Sequence, residues 1–272
     1  MTYSNKSISF ILVSSDQGTM IVNRHDYNMS NGEAYGVGHQ LLNHSSYDYP
    51  EVEFTKMLLN YKRKYNGDGV IAIDCGANIG VHTIQWGNLM HNWGTIYSFE
   101  AQEKIFYALA GNIVMNNCFN IHAFHKAVSF ENGHLMIPKL DYTKSSSFGS
   151  FEIKKKESTE FIGQPIDYEN DLISVPTITL DSLELDRLDL VKIDVEGMEI
   201  DVLTGAKQSI EQFKPILVIE FIKSDLTLLN EFLNSMDYKI IPMNSNIIAL
   251  HSSDPLNDHI KVDNNVLSLD SI

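Results

Sequence analysis

The chain has 272 residues, 43% of them hydrophobic, with 35 acidic and 20 basic side chains and a formal net charge of −15. That is enough apolar material for one good-sized core, and nothing in it suggests disorder or a disulfide scaffold. So acidic a chain argues against nucleic acid as a partner, because phosphate binding draws on a basic surface.

Lys154, Lys155 and Lys156 form the cationic cluster of the sequence and read as a solvated loop. Two cysteines, Cys75 and Cys118, imply no disulfide framework and suit a reducing compartment. The apolar run "ISFILV" (8–13) is too short to span a membrane, and neither a basic segment nor a small-residue cleavage site frames it as a signal peptide. The expectation is a cytoplasmic protein with no membrane insertion.

Residues 7–13 and 19–23 flank "SSDQG" and predict a β-hairpin. A polar stretch with Gly and Asn follows through Ser46. Pro50 opens a helix, with Phe54, Met57, Leu58 and Tyr61 at helical spacing, and "NGDG" (66–69) ends it. From Val70 a regular alternation begins. Strands are expected at 70–74, 94–100 and 121–128, and helices at 79–89 and 103–116. Residues 129–176 break the rhythm and read as strands and loops inserted over one edge of the sheet. The alternation resumes with strands at 188–194 and 215–221 and helices at 199–213 and 224–235. An antiparallel pair at 238–243 and 246–251 closes it. Strands separated by helices of this length argue for βαβ units and a mostly parallel sheet covered on both faces.

"AIDCGANIG" (72–80) is a strand running into a tight turn. It is not a phosphate-binding P-loop, since Val81 follows Gly80 where Lys would be needed. It departs from the dinucleotide fingerprint too: Asn78 occupies the place of the middle glycine that lets backbone close on a pyrophosphate. Asp74 at the strand end would repel a phosphate and welcome a cation. Glu100, 24 positions after Gly76, stands where an acid accepts hydrogen bonds from a ribose; capping the helix that begins near Glu103 is the plainer alternative. A ribose, no pyrophosphate and a positively charged tail together fit S-adenosylmethionine.

Further on, "KIDVEGMEI" (192–200) puts Asp194 and Glu196 at a strand end, two apart and so expected on one face, with Glu220 ending the next strand. Such acids could orient an acceptor, accept its proton or hold a cation, and at least one is expected to cap a helix. The three leave a magnesium site open. His82 and His125 are weaker candidates. Tyr142, Phe148, Phe151 and Tyr168 could stack on a sugar ring, although ordinary packing is the simpler role.

"VIAIDCGANIGVHT", "YSFEAQ", "KAVS", "TLDSLELDRLDLVKIDVEGMEIDVLTGA" and "KPILVIEF" together resemble, in order, the motifs of FkbM-type methyltransferases. The resemblance implies an α/β, Rossmann-like class I methyltransferase fold with a seven-stranded, mostly parallel sheet and an antiparallel C-terminal strand pair. The chain is expected to divide into an N-terminal hairpin and helix extension at 1–66 and a methyltransferase domain at 67–272, with the insertion at about 129–176. The resemblance implies S-adenosylmethionine as cofactor and S-adenosylhomocysteine as product. Asp74, Gly76, Ala77, Asn78 and Gly80 would line the methionine end, Glu100 with Ala101 and Gln102 the ribose, and Ala127 the adenine, with Asp194 also near the cofactor. It suggests O-methylation of a sugar, glycan or natural-product hydroxyl. The general base is then expected at Asp194 or Glu196, with Glu220 next. The rival readings are an NAD(P)-dependent oxidoreductase and a non-catalytic nucleoside-binding module.

Overall fold

A computed structural model describes residues 7–30, 32–263 and 266–269. The chain opens with a hairpin of β1 (Phe10–Ser15) and β2 (Gly18–Asn23). A second small pair follows, β3 (Asn28–Ser30) and β4 (Glu33–Tyr35). Helix α1 (Val37–His44) comes next, where the sequence reads only as polar connection. It is two turns long, has no side-chain cap, and buries just Val37, Gly38 and Leu41, so its apolar periodicity is too brief to register. Helix α2 (Tyr49–Asn66) then runs to Gly67, whose φ of 76° stops it.

The central alternation comprises β5 (Val70–Cys75), α3 (Val81–Leu89), β6 (Gly94–Glu100), α4 (Glu103–Met115) and β7 (Ile121–His125). The expected strand 121–128 is in fact two. After Lys126 the chain leaves the main sheet, and β8 (Ala127–Val128) joins a separate three-stranded sheet with β9 (Gly133–Pro138) and β10 (Leu172–Ile178). This small sheet is the strand-forming part of the insertion, and β10 carries it to Ile178.

The main sheet resumes with β11 (Leu190–Ile193) and β12 (Ile216–Glu220). The helix expected over 199–213 is broken into α5 (Glu199–Thr204) and α6 (Lys207–Phe213). Gly205 marks the break because a Cβ there would stand 2.1 Å from the Ser129 carbonyl oxygen. Asp181 then starts α6 afresh by accepting hydrogen bonds from the backbone N–H of Gln208 and Ser209. Helix α7 (Leu226–Ser235), capped by Asp225, precedes the antiparallel pair β13 (Tyr238–Met243) and β14 (Asn246–His251). That pair is not the last element, since residues 260–263 and 266–269 form one more two-stranded ribbon.

The seven-stranded sheet has the order β13-β14-β12-β11-β5-β6-β7, with β14 alone running against the rest. Successive residues of one strand feed opposite cores, as pleating requires. Ala72, Leu190, Ile216 and Val218 join the core under α2, α3 and α4. Ile73, Val191, Leu217 and Ile219 join the one under α5, α6 and α7. The strand order grows outward from β5 in one direction and from β11 in the other. A crevice therefore opens beyond the carboxyl ends of these two strands, where an open α/β sheet places its ligand. None of the described helices is long and apolar enough to cross a membrane.

Candidate active site

The pocket at this switch point is walled by residues from almost every part of the chain. Of the residues expected to hold a cofactor, Asp74, Gly76, Ala77, Asn78, Glu100, Ala101, Gln102, Ala127 and Asp194 all lie in its wall. Gly80 does not: it opens α3 behind the wall.

Asp74 is 1% exposed. Its Oδ2 accepts a hydrogen bond of 2.6 Å from Thr83 Oγ1, which also meets Ser98 Oγ at 2.9 Å. Its Oδ1 is buried without a partner among the described residues. A buried carboxylate oxygen left empty in a pocket wall calls for a donor from the ligand, and an ammonium supplies one with charge.

Glu100 is likewise buried. Oε2 accepts from Asn78 N–H at 2.9 Å and Oε1 from Gln102 N–H at 2.7 Å. It therefore joins the glycine turn to the start of α4, and the helix-capping alternative is realised in part through Gln102. Burial pushes its carboxyl up to about 7 despite those two hydrogen bonds. Each oxygen keeps a second lone pair for a ligand hydroxyl. Gln102 reaches the other way, donating through Nε2 to the Phe148 carbonyl at 2.9 Å.

The three acids expected to act on the acceptor do converge: carboxylate oxygens of Asp194, Glu196 and Glu220 lie within 4.8 Å of one another. The pleat of a strand does not bring them together, however. β11 ends at Ile193, and Glu196 adopts the left-handed region at φ 53°, a conformation that costs energy outside glycine. Nor does any of the three cap a helix; Glu199 accepts from Gly197 N–H at 2.9 Å, and Asp225 caps α7. Lysines accompany the cluster. Lys192 is 2.9 Å from Asp194, and Lys223 is 2.7 Å from Glu196. Burial, then the charges of Asp194 and Glu220, raise the Glu196 carboxyl well above its ordinary value. Glu220 is raised by burial and by Asp194, and its Oε2 has no hydrogen-bond partner among the described residues.

Further wall residues follow, of which the sequence offers only His82, as a weaker candidate. Tyr35, Tyr47, Asp48 and Glu51 precede β5, and His82 and Asn246 join them. Asn246 Nδ2 donates to Glu51 Oε2 at 2.6 Å, and His82 Nε2 stands 3.3 Å from Oε1 at ion-pair distance without hydrogen-bond geometry. Burial disfavours charge on Glu51, but the His82 interaction and Lys192 outweigh it, so the carboxyl is lowered. Asp48 is pushed up by burial and by Glu51. Lys192, 4% exposed, stays charged because Asp194, Asp74 and Glu51 overcome its burial. Glu51 reads in sequence as an ordinary first-turn helix acid. The usable signal was Lys192, since a lysine inside an apolar strand must be paired.

Among the proposed sugar-stacking residues, Phe151 reaches the pocket wall. Phe148 is fully buried beneath Tyr142, and Tyr168 donates to the Glu152 carbonyl, so these three pack instead. His125 packs on Phe106 outside the wall. The basic cluster is not merely solvated: Lys154 pairs with Asp201, and Lys156 donates to the carbonyls of Gly197 (3.3 Å) and Lys223 (2.8 Å).

Residues 74–240 match the model of the "Methyltransferase FkbM domain", which is more than half the chain. A crystal structure of methyltransferase FkbM from Methylobacillus flagellatus KT is similar, with 18% identity and a TM-score of 0.49. The similarity covers 67% of this chain but only 44% of that one. Precorrin-6y C5,15-methyltransferase from Geobacter metallireducens GS-15 shows 15% identity and a TM-score of 0.41 over 73% of this chain and 84% of its own. TYW2 of M. jannaschii, solved in complex with AdoMet, shows 12% identity and a TM-score of 0.43 over 91% and 85%. No curated protein is significantly similar in sequence.

Proposed function

Given that the chain belongs to the FkbM methyltransferase family, we propose that it moves a methyl group from S-adenosylmethionine to a hydroxyl of a sugar, glycan or natural product. Bound there, the cofactor supplies a methyl on a sulfonium, an activated leaving group that departs as a neutral thioether. Asp74 would hold its amino group, Glu100 its ribose hydroxyls, and Ala127 would lie at its adenine. The single observation that carries this reading is the empty, buried Asp74 Oδ1 in a wall that also holds Glu100.

The acceptor would sit against Asp194, Glu196 and Glu220, in the pocket that Tyr35 and Tyr47 also line. Carboxylates accept hydrogen bonds from hydroxyls, fix their orientation and favour loss of a proton. Holding the acceptor oxygen in line with the methyl carbon supplies several kcal/mol, on the order of the effective molarities known for oriented reactants. A wall this rich in carboxylates disfavours an anionic acceptor and, with the net charge of −15, a nucleic acid. A chain working on intracellular precursors fits the cytoplasm.

Binding of S-adenosylhomocysteine by calorimetry, followed by transfer from methyl-labelled cofactor to a glycan-rich extract of the host, tests the proposal. Stabilisation by NADH and none by S-adenosylhomocysteine would overturn it.

A further inference from the structure

Taking a proton from an acceptor hydroxyl needs a group that is unprotonated and not already neutralised. The three acids beside the crevice meet that need poorly. Asp194 faces the Lys192 ammonium and Glu196 faces Lys223, at 2.9 and 2.7 Å. Burial raises the Glu220 carboxyl, and the charge of Asp194 beside it adds to the rise, so its protonated form is favoured.

His82 differs. It is the second residue of α3, is 6% exposed and stands in the pocket wall. Its ring packs edge-on against Trp86 at 5.7 Å, and Trp86 Nε1 donates to Thr55 Oγ1, so the imidazole is fixed from behind. Nε2 stands 3.3 Å from Glu51 Oε1, within ion-pair distance though outside hydrogen-bond geometry, and is otherwise buried without a partner among the described residues. Glu51 cannot swing away, because Asn246 holds its other oxygen. The Glu51 charge beside Nε2 favours the tautomer with its proton there, which leaves the Nδ1 lone pair for another donor. Nδ1 has no hydrogen-bond partner among the described residues. Lys192 and Asp48 also act on Glu51, so the pair lies inside the charged wall of the pocket.

We infer that His82, positioned by Glu51, is the general base that takes the acceptor's hydroxyl proton, while the three acids hold the acceptor. This rests on the methyltransferase reading above. The O–H bond breaks, its electron pair stays on oxygen and forms the new O–CH3 bond, and the sulfonium keeps the pair of the broken S–CH3 bond. The proton goes to Nδ1, and the resulting imidazolium is stabilised by the Glu51 carboxylate. It leaves to water after the product does.

The test has two parts. Nitrogen NMR of the wild-type imidazole should show a protonated Nε2 and a bare Nδ1; a protonated Nδ1 overturns the inference without any turnover being measured. In the transfer assay, His82→Gln should lower kcat about a hundredfold or more, the scale of general-base catalysis, with S-adenosylhomocysteine affinity within threefold of wild type. Glu51→Gln should lower kcat with KM held and should disturb the tautomer, which keeps the test alive if the His82 variant folds poorly. A kcat within threefold of wild type in His82→Gln overturns the inference. So does a tenfold loss of cofactor affinity with unchanged saturated turnover, which would make His82 a holder of the cofactor's tail. Wild-type chain that binds no S-adenosylhomocysteine or transfers no methyl would instead sink the underlying methyltransferase reading.

Discussion

Gly76 and Asp194, 118 positions apart in sequence, touch backbone to backbone. A Cβ built on Gly76 would stand 1.8 Å from the Asp194 carbonyl oxygen, and Gly76 itself has a φ of 79°. The glycine turn after β5 thus leans directly on the loop that carries the acid cluster. Gly76→Ala is expected to be destabilised by more than about 3 kcal/mol, from left-handed strain plus the clash. Thermal melting checks this, and a melting temperature within a degree of wild type would contradict the packing described.

Asp74→Asn removes the charge that the unpartnered Oδ1 offers. A charge-assisted hydrogen bond contributes about 1.5–3 kcal/mol, so S-adenosylhomocysteine should bind roughly ten- to a hundredfold more weakly. Isothermal calorimetry measures it. Thr83→Val, which frees Oδ2 but keeps the charge, should cost less.

Asp26 is 2% exposed and accepts from Gly38 N–H and Phe148 N–H, both at 3.0 Å. Burial raises its carboxyl from 3.8 to about 6. The folded chain therefore keeps a proton that the unfolded chain has lost. This group's contribution is fully present below about pH 4 and is lost as pH rises to about 6. At about 1.4 kcal/mol per unit, the change approaches 3 kcal/mol. Denaturant unfolding at pH 4 and pH 7 should show it, and Asp26→Asn should flatten the fall. Asp26→Ala should lose about 2 kcal/mol at either pH by orphaning two buried N–H groups.

Lys192 and Lys223 place ammonium groups against two of the three clustered acids, where a divalent cation would have to displace them. EDTA should leave turnover within twofold of the untreated enzyme. Lys223→Met, by contrast, should uncover Glu196 and let magnesium raise the melting temperature, which it should not do in the wild type.

The strand–helix alternation from Val70 to Phe221 was legible because the core strands are apolar on both faces, as strands between two helical layers must be. Asp74 and Glu100 could be placed because position at a strand end already tells where a side chain opens. The pairing of Glu51 with His82 was not legible. Glu51 and His82 come from helix starts 31 positions apart, and what pairs them is the packing of α2 on α3, which no local spacing encodes. The convergence of the three acids was foreseen, but its cause was not, since the left-handed turn at Glu196 has no marker besides the Gly197 that follows.

The hydrogen bond from Gln102 to the Phe148 carbonyl has a consequence for order of arrival. Gln102 follows closely on Glu100, and Phe148 begins the short turn whose Gly149, Ser150 and Phe151 line the same pocket. One amide thus ties the Glu100 side of the pocket to this turn. With the nucleoside seated at Glu100 as proposed above, steady-state kinetics should be sequential, with the methyl donor binding first.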